Sequence, residues 1–416
     1  MVQRWFKEAL KGILVREGYP TRRQSREAAA GIAELLLELE EKISDPRQGI
    51  EHLIAVFEAD DKAVACGDDS DGEIGDVYRT NVTGLFSKYA QRLDDKDWIA
   101  GVVFDLAAGN EYGCRDALVE RTTEFLPEVQ VRRMIDRMFA EIDASPKMDK
   151  FDPTASRLRT WEICIEVFAE RLIDPRLYER ACHIFEGPLS AHSMWVIASL
   201  WLKAGDAETA LAWTERAEAK ERDLRGDRVA IKLAILEKLG RRDAMCELAN
   251  RQFIDDRTKE HLDVLVKIAG ESSRETIVKE ALSLIRASTK LDSDDAYFLL
   301  DCGLHDEAAN YVISRWDSAR GVFYGSAIPI AEMFDDAGKL LASTVMYRGL
   351  VESVLDRGLT ASYPHGVRYL RKLDAMAPKI ADWGPVARHT LFLQSLRELT
   401  KAKRSFWAKY DGKQRS

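Results

Sequence analysis

Five glycines in the second half of the chain constrain its fold more than any other feature. Gly205, Gly240, Gly270, Gly303 and Gly338 stand 35, 30, 33 and 35 residues apart. An apolar helix end precedes four of them, at Leu200–Ala204, Ile235–Leu239, Tyr297–Cys302 and Met333–Ala337. A polar turn follows, and an alanine comes four or five places on, at Ala210, Ala244, Ala308 and Ala342. Glycine suits the place after a helix because that residue takes the left-handed conformation, which costs a side chain with a Cβ about 1 kcal/mol. The alanine lets a second helix lie close against the first.

One such hairpin cannot bury its apolar face alone, so consecutive hairpins must stack and share a core. The spacing predicts an all-α chain, an α-α superhelix or tetratricopeptide-like solenoid whose period is about 34 residues. The Trp and Tyr of the tetratricopeptide first helix are mostly missing. Periodicity is helical elsewhere too: Ile32, Leu35, Leu36 and Leu39 fall at spacings of three and four, as do Val278, Leu282 and Ile285. Helix starts are marked by Asp45-Pro46 with Gln48, by Asp174-Pro175, and by Ser272 with Glu275.

Residues 1–144 lack the glycine ladder and read as irregular hairpins over 23–42, 46–62, 73–92, 96–108 and 114–139. The charged, proline-bearing stretch Asp143–Pro153 marks a boundary. Repeats follow over 154–362, and 363–416 forms a capping helix pair, Tyr363–Met376 and 385–401, with a short basic tail after Phe406.

A chain of 416 residues exceeds what one compact core usually organises, a limit that an array escapes by growing end to end. The net charge of −9 argues against a surface that binds nucleic acid or an anionic membrane throughout. Six scattered cysteines with no CxxC pair read as reduced core thiols. The apolar stretch beside Arg4, Lys7 and Lys11 is too short for a signal peptide, and the longest apolar run, Met194–Leu202, is too short to span a bilayer. The expected location is the cytoplasm.

The densest cluster of acids is Asp68-Asp69-Ser70-Asp71-Gly72-Glu73, with Asp76 one turn on. Carboxylates at Asp68, Asp69 and Asp71 suit a hard cation such as Ca²⁺ or Mg²⁺. The calcium-loop template fails at both ends, where Gly67 and Tyr78 would have to be ligands. Ser70 with Glu73 also fits a capping box, acids before a helix favour its dipole, and a partner contact is a third reading. Cys182-His183 and Cys302 with His305 have no second pair at zinc spacing. No GxSxG, HExxH, GxxxxGK[ST] or GxGxxG pattern occurs, so neither catalysis nor a cofactor is supported.

Of nine tryptophans, Trp195, Trp201 and Trp213, with Trp316 and Trp383, are candidates to line a peptide groove, and the spacing of Trp195 and Trp201 predicts that at least one is exposed. At the end of the chain Lys401, Lys403, Arg404, Lys409, Lys413 and Arg415 surround Phe406, Trp407 and Tyr410. That mixture fits single-stranded nucleic acid through charge and stacking, with Arg404 and Trp407 central, or a solvated tail docked by its aromatics.

The acidic DDSDGEIG segment at Asp68–Gly75, the NEYG stretch from Asn110 to Gly113, and a terminal block with YPHGVRYLRKL at Tyr363–Leu373 and KRSFW at Lys403–Trp407 carry a resemblance. In these the chain resembles a bacterial family known as domain of unknown function 6880. The resemblance implies a helical, tetratricopeptide-like fold and brings no established activity. Members usually have further helical sequence before the part matching 20–45. The Tyr363–Leu373 block is also similar to the end of bacterial proteins with a SWIM zinc finger, whose Cys and His ligands are missing here, so no nucleic-acid role transfers.

The expectation is therefore a non-enzymatic scaffold that binds a peptide or protein on a helical-repeat surface. The alternatives are a nucleic-acid-associated factor using the basic, aromatic C-terminus, and a metal-binding protein using residues 68–76.

Overall fold

The computed structural model describes residues 2–14, 21–110, 112–144, 153–185, 187–220 and 226–412. Among them are 24 α-helices and no strand. Packing divides the chain into two compact units, Met1–Leu239 and Gly240–Ser416, a division that falls inside the expected repeat segment 154–362.

In the N-terminal unit, helices Arg22–Lys42, Pro46–Phe57 and Lys96–Ala108 begin within one residue of their expected starts, but the one expected over 46–62 ends at Phe57 and a separate helix, Asp60–Ala65, follows. Thr21 and Gln24 form a reciprocal capping box, and Asp45 accepts from the Gln48 amide at 2.8 Å ahead of Pro46. The single helix expected over 114–139 is instead Asp116–Glu120, a short 3-10 turn, and Glu128–Ala144. Pro127 explains the break, since it has no amide hydrogen and cannot continue a helix. The segment 73–92 carries one π-helical turn at Tyr78–Val82.

Most of the expected boundary stretch, residues 145–152, lies outside the described residues. The helix that follows it, Pro153–Arg171, nonetheless joins the preceding core: Trp161 is fully buried, with its ring 4.6 Å from that of Phe104.

In the repeat region the hairpin Ala191–Lys203 with Ala207–Lys220 has the expected form. So do Ser293–Asp301 with His305–Ser314, and Tyr324–Asp336 with Leu340–Arg357. Gly205, Gly303 and Gly338 have φ of 92°, 74° and 69°. The amide after each glycine bonds a carbonyl five residues back: Asp206 to Trp201 at 3.0 Å, Leu304 to Leu299 and Lys339 to Phe334 at 2.8 Å. That bond closes the last turn of the first helix and satisfies a carbonyl that would otherwise lack a partner. Ala210, Ala308 and Ala342 are fully buried, as close helix contact requires, whereas Ala244 is half-buried.

Gly270 departs from the ladder. Its φ of 107° and ψ of 146° lead into a 3-10 turn at Glu271–Ser273. The expected cap at Ser272 therefore does not form: the helix starts at Arg274, and Glu275 pairs with Lys279 at 2.7 Å.

The longest helix of the C-terminal unit, Leu340–Arg357, is buried on nearly every side. At Gly349 a Cβ would lie 2.5 Å from the Ala319 carbonyl oxygen, so only glycine lets the turn Trp316–Gly321 approach. Helix Tyr363–Met376 has the expected ends, and its cap helix is His389–Leu399. What was expected to be a tail is a further helix, Arg404–Asp411, because Phe406, Trp407 and Tyr410 share one apolar face and are buried.

Candidate functional site

The acidic segment is bound up in local structure. Asp69 accepts from the amides of Ile74 at 2.8 Å and Gly75 at 3.3 Å, so it caps the helix Glu73–Val77 in place of Ser70. Gly72 sits at φ 75°, a conformation that turns Ser70 away from the capping position. Ser70 instead donates to Asp68 through both its amide and its hydroxyl, bonds that hold the Asp68 carboxyl below its ordinary range. Asp71 pairs with Arg22 at 3.4 Å and Arg26 at 3.2 Å, and Glu73 pairs with Arg26 at 2.9 Å. Among the described residues no three His, Cys, Asp or Glu side chains gather as a metal-binding group. Asp69 bonds the helix amides while Asp68 and Asp71 share Arg22, at 3.7 and 3.4 Å, whereas a cation site needs the three carboxylates convergent.

The NEYG stretch serves a buried ion pair. Arg115 donates to both oxygens of Asp60 at 2.7 and 2.8 Å, and to the carbonyls of Leu106 and Phe57 at 2.9 Å. Asn110 positions this loop by bonding the Arg115 amide at 3.2 Å and Asp116 at 2.6 Å. Burial, then the negative charges of Asp60 and Asp69, push the adjoining Cys114 thiol up to about 11. All six cysteines are free, and burial pushes Cys164 up to about 12 and Cys302 to about 11, which keeps these thiols protonated.

Trp195 and Trp213 are core residues, 3% and 5% exposed, and Trp201 is half-buried. Neither Trp195 nor Trp201 is exposed, although they lie on different faces of one helix, because that helix packs against three others, Pro175–Phe185, Ala207–Lys220 and Asp227–Lys238. Arg176 stands over Trp201 and Arg216 over Trp213. Trp195 still forms part of the wall of a cleft of about 390 Å³, with His192, Lys203, Asp227 and Arg228. Trp383 is buried, leaving Trp316 as the exposed member of that set.

The terminal block closes on itself. Tyr410 donates to both Asp374 oxygens, at 3.0 and 2.8 Å, and the His389 Nε2 lies 2.7 Å from the same carboxylate. Burial, and the bond to Asp374, raise the Tyr410 phenol. Gly366 lets Phe406 and Val354 approach within about 3 Å of where a Cβ would stand. Trp407, 7% exposed, donates to the Thr400 carbonyl at 3.2 Å and is covered by Arg397. The aromatic rings expected to stack on bases are therefore in the core. Arg404, Lys401 and Lys409 remain exposed, and Lys413 and Arg415 lie outside the described residues.

Two features of the C-terminal unit escaped sequence reasoning. Phe323 and Tyr324 are 65% and 50% exposed, with their rings 4.7 Å apart. Beside Tyr324 opens a cleft of about 390 Å³ carrying Arg357, His365 and Arg368. The available signal was the pair His365 and Arg368, three apart on one helix. Their joining with Arg357 and Tyr324 depends on three different helices.

The sequence matches the family described as a family of unknown function, DUF6880, over residues 7–164 and 189–409. The match spans most of the chain, and the chain belongs to that family. No curated protein matches it. No helix among the described residues is long and apolar enough to cross a membrane.

Proposed function

We propose that this member of the DUF6880 family is a cytoplasmic interaction protein, a tetratricopeptide-like array of stacked hairpins that holds a protein or peptide partner and performs no chemistry itself. The observation that supports this most is the exposed aromatic surface of the C-terminal unit. Phe323 stands in extended backbone, at φ −60° and ψ 134°, immediately before the helix that Tyr324 opens. Leaving large rings in water forgoes about 25 cal/mol per Å² of burial, so contiguous exposed aromatics mark surfaces that another molecule covers. Aromatic anchors of this kind carry a large share of binding energy at protein interfaces.

The test is a pulldown from bacterial lysate with wild type and with an F323A/Y324A double variant, at low and moderate salt and with nuclease. A stoichiometric, nuclease-resistant protein held by wild type and lost from the double variant is the expected result. Equal recovery by both would remove this surface from the proposal. Recovery abolished by nuclease would overturn the protein-partner reading.

A further inference from the structure

We infer that the cleft between helices Tyr324–Asp336, Leu340–Arg357 and Tyr363–Met376 binds an oxyanion, a phosphate monoester or carboxylate, carried on an apolar body. The guanidinium groups of Arg357 and Arg368 and the imidazole of His365 face one opening, and among the described residues no Asp or Glu lines it. Neighbouring cations on the same helices and turn are neutralised: Lys372 pairs with Asp335 at 2.6 Å, and Arg320 pairs with Asp356. Arg357 and Arg368 have no such partner among the described residues. Arg357 donates only at 3.3 Å, to the Ser353 carbonyl. Arg368 reaches His365 and the Tyr369 hydroxyl at 3.5 Å, the outer limit of a hydrogen bond. Two guanidinium groups with free donors suit the paired oxygens of phosphate or carboxylate.

The remaining walls supply the other half of the ligand. Tyr324, Ser362 and Tyr369 add hydroxyl-bearing side chains to the lining, while Ile328, Leu350 and Val354 form an aliphatic floor. Ser362 immediately precedes the helix Tyr363–Met376 and His365 lies in its first turn, so its positive dipole end lies at the same opening. A volume of about 390 Å³ exceeds what a bare phosphate fills and lies in the range of small-ligand clefts. An aryl or alkyl phosphate or carboxylate fits this division of charge and apolar wall. The cleft shares Tyr324 with the exposed aromatic pair of the partner reading, so the test is placed on Arg357 and Arg368, which that reading does not use.

The experiment is calorimetric titration of the full chain with phenyl phosphate, 3-phenylpropionate, inorganic phosphate and benzyl alcohol, each at two salt concentrations. Phenyl phosphate or phenylpropionate is expected to bind with Kd below about 1 mM. Benzyl alcohol, which lacks the charge, should bind at least about tenfold more weakly. Which anion binds tighter separates phosphate from carboxylate as the natural group. An R357Q/R368Q double variant should lose about tenfold or more, with unchanged circular dichroism, because both side chains are exposed. R371Q serves as the control: Arg371 shares the helix but donates to the Lys409 and Tyr410 carbonyls, and its loss should leave affinity within about twofold. Absence of binding by wild type, or equal binding by the double variant, overturns the inference. Inorganic phosphate binding as tightly as phenyl phosphate would overturn the part assigned to the aliphatic floor.

Discussion

Two sites, one in each unit of this chain, secure the interior by different means. At the centre of the N-terminal unit lies a charge pair, Arg115 with Asp60, 7% and 3% exposed, whose guanidinium also satisfies two backbone carbonyls. The site in the C-terminal unit is a close backbone approach, where Gly349 admits the Ala319 carbonyl, a device that recurs in the N-terminal unit where Gly67 admits the Ser25 amide. A buried charge tolerates irregular hairpins, because directional bonds can tie together a loop, a helix end and a neighbouring helix. Close approach works only where two elements meet at a set distance.

Breaking the ion pair should have the largest effect. R115M strands the Asp60 carboxylate in the core, with an expected loss of about 3–5 kcal/mol in urea unfolding. The double variant D60L/R115M should lose less than R115M alone, since no unpaired charge remains. A double variant as unstable as the single one would show that packing around Arg115, not its charge, matters most.

G349A comes next. The added methyl meets backbone that cannot swing aside, so about 1–3 kcal/mol should be lost, read as a lower melting temperature. An unchanged melting temperature would mean that the turn Trp316–Gly321 is free to move away.

The hairpin turns carry the comparison to single residues. Gly303 and Ile173 sit in the same kind of turn: Asp174 donates to Ala169 at 2.8 Å, just as Leu304 donates to Leu299. Yet Ile173 holds φ 52° with a β-branched side chain, the only non-glycine residue at positive φ among those described. Its turn is fixed from outside by Asp174, which caps the next helix through the Leu177 amide at 3.0 Å and pairs with Arg132 at 3.0 Å. G303A should cost about 1–2 kcal/mol, the penalty of a Cβ in the left-handed region. I173G should have the smallest effect, a gain below about 1 kcal/mol, because the relieved strain is partly offset by the greater freedom of glycine in the unfolded chain. A loss of stability in I173G would mean that the half-exposed isoleucine contributes more packing than its strain costs.

Much of the fold was legible in the residues. The glycine ladder marked hairpins at Gly205, Gly303 and Gly338, and helix Tyr363–Met376 has the limits its pattern implied. The failures have local causes: Pro127 divides one expected helix, and the unusual conformation of Gly270 displaces a cap. For the candidate site residues, pattern did not separate an aromatic that packs from one that stays exposed. Trp195, Trp213 and Trp407 pack, whereas Phe323 and Tyr324 do not.

What the sequence determines by itself is whatever depends on near neighbours along the chain: helix periodicity, caps, left-handed turns, and the absence of a span long enough for a membrane. Burial and charge pairing are decided by neighbours distant in sequence. Arg115 finds Asp60 across 55 positions, Arg26 finds Asp71 across 45, and Arg357 meets His365 and Arg368 only because separate helices pack side by side. Whether a charge is spent on a partner or left open to a ligand is therefore a property of the tertiary structure, since Coulomb and hydrogen-bond energies depend on distance in space.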